Sequence, residues 1–209
     1  MARGGRGIEV LTAALLGLVS VATAVGAWQA SIWNASADEL ARDAQDALDV
    51  SVNFAVLGEY SRRFDTEASA EAVRLAEYQD ATTDPIEQAL YTLRIQTRLG
   101  STTPGFMDAW YAWRDAGFAA ELDPLADSHY LLERDGPTHT YAYVSRQLTD
   151  EAEELKGRSG VIARAALVNA LALFLFGISS IGRLQSIRYG ILALGAAAFV
   201  GGLVLWILA

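Results

Sequence analysis

The chain has 209 residues, 52% of them apolar, a mean hydropathy of +0.21 and no cysteine. That apolar content is high for a wholly soluble chain of this size, and without thiols the chain has no disulfide, Cys-liganded zinc, iron–sulfur cluster or thiolate nucleophile. Sixteen basic residues against 25 acidic ones give a net charge of −9, the wrong sign for nucleic-acid phosphates. Composition therefore points to a small integral membrane protein whose first partner is the lipid bilayer and which takes no nucleic acid.

In chain order, residues 1–7 form a short tail carrying Arg3 and Arg6. The uncharged run Val10–Ala27 (VLTAALLGLVSVATAVGA) extends through Trp28, Ile32 and Trp33, enough at ~1.5 Å per helical residue for about 30 Å of hydrocarbon. It predicts a first transmembrane helix over 8–30, with Trp28 and Trp33 in an aromatic belt or in the helix core beyond it. A secretory leader is the competing reading, because Ala22-Thr-Ala24 has the small residues of a cleavage site. The apolar run is longer than such leaders carry, and helical patterning continues past the supposed cut.

Residues 31–157 hold 24 acidic and 10 basic side chains, and the rest of the chain 1 and 6. This acidic insert reads as helical. After Ser36, the residues Leu40, Ala44, Ala47, Leu48, Ser51, Val52 and Ala55 recur at three- and four-residue spacing, with Glu39, Asp43, Asp46 and Asp49 on a separate stripe, so one face is expected to pack and the other to stay wet. No Gly or Pro falls between Ala27 and Leu57, which predicts one helix running from the first span into the insert. Asp84-Pro-Ile-Glu87 gives a cap, a proline at the first helical position and a glutamate at the third, starting a helix that runs to about Leu99. Thr103-Pro104 and Asp123-Pro124 repeat the cap-then-proline pattern, with Gly117 and Gly136 as stops. A last helix is expected from near Pro137 through Leu155, with Gly157-Arg-Ser-Gly160 kinking it or joining it to the next span. No sustained alternating strand pattern occurs.

Val161–Ile181 has one charge, Arg164, near its start where it can snorkel, and predicts a second transmembrane helix over 161–182. Residues 183–189 form a short turn with Arg183 and Arg188, and 190–209, free of ionisable groups, predict a third. Arg3, Arg6, Arg183 and Arg188 lie in short segments, where positive charge marks the cytoplasmic side. The N-terminus and the turn are thus expected inside and 31–157 outside. The expected fold is an all-α integral membrane protein with three transmembrane helices and an extracytoplasmic, up-and-down helical bundle with short helices across its outer end.

The stretch Glu9–Trp33 resembles the opening span of a group of uncharacterised prokaryotic three-span membrane proteins. Phe176-Gly-Ile-Ser-Ser180, the Arg183–Arg188 turn and the small-residue third span resemble that group's end. The resemblance covers about 75 residues at the two membrane ends and says little of the acidic middle. It implies the three-span topology and, since the group has no assigned activity, supplies no catalytic residue.

The residues themselves offer little chemistry. Gly177-Ile-Ser-Ser180-Ile-Gly182 misses the spacing of a nucleophilic serine elbow by one residue. His129 and His139, ten apart, would need Asp127, Glu133 or Asp135 to build a zinc site, and the Glu39–Asp49 stripe lacks a loop to wrap oxygens around calcium. No catalytic, cofactor-binding or metal site is assigned, and no small-molecule substrate is identified. Phe106, Met107, Trp110, Tyr111 and Trp113 form the densest aromatic cluster. Phe106, Trp110, Tyr111 and Trp113 are the candidate interaction surface, against the alternative that they pack a short cap over the bundle.

The spans place no ionisable residue at mid-membrane, which argues against coupled transport. Pairs such as Ala13–Gly17, Ala22–Gly26, Ala166–Ala170, Ala197–Gly201 and Ala198–Gly202 permit close helix contact within a chain or between copies. The expected function is a non-enzymatic membrane protein displaying a helical extracytoplasmic domain for protein–protein interaction, as an accessory, sensor or scaffold subunit, with a homo-oligomer or a partner membrane protein. The alternatives are a homo-oligomeric channel lined by Thr12, Ser20, Thr23 or Asn169, with the acidic domain gathering cations at its mouth, and a metal-dependent membrane hydrolase.

Overall fold

A computed structural model of the chain describes residues 3–181 and 185–209. Gly182, Arg183 and Leu184, at the turn expected on the cytoplasmic side, lie outside the described residues, as do the side chains of Arg3 and Arg6. The fold is all-α: α1 (Arg3–Ala81), α2 (Pro85–Leu99), α3 (Pro104–Asp115), α4 (Ser128–Ile181) and α5 (Gln185–Ile207), with short 3-10 turns at Ala120–Leu122 and Pro124–Ala126. Helices α1, α4 and α5 each contain a stretch long and apolar enough to cross a membrane. No strand occurs among the described residues.

The chain divides into two compact units, one of Met1–Asp43 with Gln147–Ala209 and one of Ala44–Arg146. In the first, parts of α1 and α4 pack with α5 around Val19, Ala172, Phe176 and Phe199. Small residues set the closeness. A Cβ on Gly195 would meet the Phe176 ring at 2.8 Å, and Ser159 Oγ donates to the Ala30 carbonyl at 2.8 Å. Ala22–Gly26 and Ala198–Gly202 face inward or half inward, whereas Ala13–Gly17 and Ala197–Gly201 stay on the outside.

In the second unit α2 and α3 cover the remaining parts of α1 and α4 around Ala72, Ala76, Ile95, Leu99, Phe106, Trp110 and Tyr130. Helix α2 begins as the sequence predicts: Asp84 Oδ1 accepts from Ile86 N at 2.9 Å, Pro85 occupies the first turn, and Thr82 Oγ1 donates to Glu87 at 2.7 Å. Helix α3 also starts at its proline. It stops at Gly117, whose φ of +70° is followed by +59° at Phe118. Phe118 N reaches back to Trp113 O at 2.9 Å, the six-to-one bond of a left-handed helix stop. A phenylalanine in that conformation is strained, and its ring is held edge-on against Trp113 at 4.9 Å.

Two expectations need correction. The break at Gly136-Pro137 does not occur: α4 runs without interruption from Ser128 to Ile181 with Pro137 inside it, and of the two alternatives for Gly157–Gly160 the stretch is helical and joins the helix to the second apolar run. Pro137 removes one backbone donor, but Ser51 Oγ donates to the Thr138 carbonyl at 2.9 Å, tying the helix to α1 beside the proline. The helix expected after Asp123-Pro124 is instead a 3-10 turn, and Asp127 caps α4 by accepting from His129 N and Tyr130 N.

The packing face of α1 is also narrower than its apolar pattern. Ala44 and Ser51 are buried, but Leu48 and Val52 are 42% and 53% exposed and Ala55 is exposed. Five buried positions step by seven, Ala44, Ser51, Gly58, Asp65 and Ala72, with Ala68 buried between the last two, the spacing of a helix–helix seam. All but Asp65 are small because the α4 backbone is close: Ser145 Oγ bonds to the Ala44 carbonyl at 2.8 Å, and a Cβ on Gly58 would meet Arg134 Cγ at 3.3 Å. The acidic stripe Glu39, Asp43, Asp46 and Asp49 is exposed throughout.

Candidate functional site

Of the four aromatics expected to form an interaction surface, Phe106 and Trp110 lie inside at 0% exposure. Their i, i+4 spacing aims them at the α1–α4 pair, where Phe106 stands edge-on to Tyr130 at 5.4 Å. Tyr111 and Trp113 are half-buried, and Trp113 Nε1 donates to the Ala119 carbonyl at 2.9 Å. The cluster is chiefly core, and only the edges of Tyr111 and Trp113 reach the surface.

Asp65, which the sequence did not single out, is the one acidic side chain among the largest fully buried of the described residues, at 1% exposure. It occupies a small-residue position of the α1 seam and faces the start of α3, where Thr103 Oγ1 donates to it at 3.2 Å and Thr103 N approaches its other oxygen at 3.4 Å. Burial pushes its carboxyl above the usual range, against the opposing pull of the Tyr130 hydroxyl, Thr103 and Arg134. The Tyr130 hydroxyl lies near both Asp65 and Arg134 but makes no well-aligned hydrogen bond, and burial raises it as well. Arg134 grips Asp135 through two bonds of 2.7 and 2.6 Å, which hold the Asp135 carboxyl below its ordinary value. The centre locks α1, α3 and α4 together. Its signal in the sequence is an aspartate seven residues from Gly58 and Ala72, on the seam.

The residues weighed as metal ligands have other work. Asp127 caps α4, Glu133 accepts from Gly105 N at 2.9 Å in the first turn of α3, and Asp135 pairs with Arg134. No group of three or more His, Asp or Glu able to hold a metal occurs among the described residues. The polar residues named as a channel lining differ in burial. Thr12 and Asn169 are buried, Thr23 is half-buried and Ser20 is exposed; the Ser20 and Thr23 hydroxyls bond back to their own helix at Leu16 O and Val19 O.

What the second unit leaves unpaired is an apolar stripe on α1. Leu48, Val52, Val56 and Tyr60 recur every four residues at 42%, 53%, 49% and 66% exposure. A shallow cleft of about 390 Å³ lies along it, lined by Val52, Ala55, Val56, Glu59, Tyr60 and Arg63. The rim carries both signs, with Glu59 and Arg63 paired at 3.3 Å. These large side chains are outside because small ones took the seam.

No known family model, curated protein or solved structure matches the chain.

Proposed function

We propose that the chain is a non-enzymatic integral membrane protein of the three-span kind, with residues 31–157 outside the cytoplasm and displayed for protein–protein contact. The Leu48–Tyr60 stripe is its contact face and a second copy of the chain is its partner. The supporting observation is the stripe itself: four large apolar side chains at one helical spacing, about half exposed, on a domain whose surroundings are strongly acidic. Exposed apolar surface of this kind marks interaction sites. A two-fold copy is favoured because the rim holds both signs, Glu59 and Arg63, so a second copy brings a rim of the same mixed charge to it, whereas a basic partner would find Arg62 and Arg63 beside the cleft.

The test exploits the absence of cysteine. With Val56→Cys as its single thiol, the full chain in membranes is expected to form a disulfide-linked dimer on mild oxidation, and adding Tyr60→Asp is expected to abolish it. Ala70→Cys is expected to react with a membrane-impermeant maleimide on intact cells. A wild-type chain that light scattering finds monomeric in mild detergent, with no cross-link at Val56→Cys, would overturn the pairing; protection of Ala70→Cys until lysis would overturn the orientation.

A further inference from the structure

The second unit carries a cleft of about 690 Å³ between α1 and α2, within the range of small-molecule sites. Glu71 and Leu75, one turn apart, form its α1 wall; Leu93, Arg94, Thr97 and Arg98 form its α2 wall, and Ser101 closes one end. Two guanidinium groups and one carboxylate make the lining positive, on an insert that is strongly acidic.

Arg98 is held in place from two sides. Its guanidinium lies 5.4 Å above the Phe64 ring, and Glu71 Oε2 stands 2.8 Å from its Nε, which is buried and makes no aligned hydrogen bond. Its two terminal nitrogens take no partner among the described residues, and neither does Arg94 one turn earlier. Like charges one turn apart on a helix repel, so an anion between them stabilises both. The two hydroxyls of the lining are already engaged: Thr97 Oγ1 donates to Leu93 O at 2.8 Å and Ser101 Oγ to Arg98 O at 2.7 Å. The donors left for a ligand are the two arginines.

We infer that this cleft binds a small monocarboxylic acid with a short apolar body, its carboxylate on the Arg98 fork and beside Arg94, its body against Leu75 and Leu93. A guanidinium fork matches two oxygens in one plane. A single negative charge balances the lining, whereas a doubly charged phosphate overshoots it beside Glu71. Leu75 is half-buried and Leu93 is 60% exposed, so an apolar body covers surface that water otherwise meets. Six of the seven lining residues belong to helices, whose backbone groups are bonded to one another, so no strand edge is offered to the amides of a peptide. The inference stands on the second unit alone and does not depend on the membrane spans or on the pairing of copies.

The full-length protein in nanodiscs is titrated with para-fluorophenylpropanoate at neutral pH and followed by fluorine NMR, with empty nanodiscs as the baseline and the corresponding primary amide as the uncharged probe. The acid is expected to bind saturably and about tenfold more tightly than the amide, the worth of one charge-assisted contact, and to stay bound in equimolar inorganic phosphate. Arg94→Gln is expected to weaken the acid about threefold, and Arg94→Gln with Arg98→Gln about tenfold or more, with the amide unchanged. Arg146→Gln, exposed on α4 outside the cleft, is expected to bind as the wild type does. Should Arg98→Gln loosen the fold by leaving Glu71 and Phe64, Arg94→Gln alone carries the test, because Arg94 is exposed and holds nothing. Acid and amide bound alike, no saturable binding of the acid, its displacement by equimolar phosphate, or wild-type binding by Arg94→Gln each overturns the proposal.

Discussion

Ser145 Oγ donates a hydrogen bond to the backbone carbonyl of Ala44, 2.8 Å away on the facing helix. A side chain that short reaches another helix's backbone only where the two backbones nearly touch, as small residues at a seam allow. Closeness, rather than the area of large side chains, joins α1 to α4 here. Ala44→Leu is therefore expected to cost more than Ser145→Ala: about 2–3 kcal/mol for forcing a larger side chain into a closed contact, against about 1 kcal/mol for one hydrogen bond. Thermal melts followed by far-ultraviolet circular dichroism in mild detergent rank the two, and equal losses would show that the contact tolerates bulk.

Asp65 and Asp135 make the fold respond to acid in opposite directions. The Asp65 carboxyl is pushed up, chiefly by burial, so its contribution is complete below its unfolded-state value and is lost as pH rises through the raised folded one. Asp135 is held down by Arg134; its contribution is present above the unfolded value and lost as pH falls through the lowered one. Asp65→Asn, which mimics the protonated acid, is expected to melt above the wild type at neutral pH, with the gap closing as pH falls. Asp135→Asn is expected to melt below the wild type at neutral pH, with that gap also closing in acid. A wild type that outlasts Asp65→Asn most at neutral pH would refute the burial account.

How much of this was legible in the sequence depends on range. The start of α2 was readable because Asp84, Pro85 and Glu87 act on their own backbone within one turn, and the end of α3 because Gly117 adopts the left-handed conformation locally. The unbroken α4 was not, because Pro137 is a local stop signal overridden by packing between segments far apart in sequence, among them the bond from Ser51 to Thr138, 87 residues away. The α1 seam was misread for a related reason. Leu48 and Val52 outweigh Ala44 and Ser51 in any apolar count, yet the helix spacing selects the smaller residues. Asp65 and the interior position of Trp110 are likewise set by which helices meet.

Pro137 offers a direct measure of that contest. Its ring removes the donor that would bond the Glu133 carbonyl and crowds the preceding turn. Since α4 is helical on both sides of it, Pro137→Ala restores the bond with no change of path. The variant is expected to be more stable than the wild type by about 1–3 kcal/mol, whereas Ser51→Ala, which removes the bond to Thr138, is expected to lose about 1 kcal/mol. A lower melting temperature for Pro137→Ala would mean that the proline bends α4 into a shape the seam needs.

The aromatic cluster of α3 separates core from surface most sharply. Trp110 is fully buried, in edge-on contact with Tyr111 at 5.5 Å and Phe118 at 6.2 Å, so Trp110→Ala opens a cavity and is expected to cost about 3–5 kcal/mol. Tyr111→Ala, at a half-buried position, is expected to cost far less. Trp110 Nε1 is buried without a partner, and that orphaned donor already costs about 1–3 kcal/mol. Trp110→Phe trades ring area for relief of the donor and is expected to stay within about 1 kcal/mol of the wild type. Were Trp110→Phe as damaging as Trp110→Ala, the larger indole ring would be what fills this core, and relief of its unpaired nitrogen would count for little.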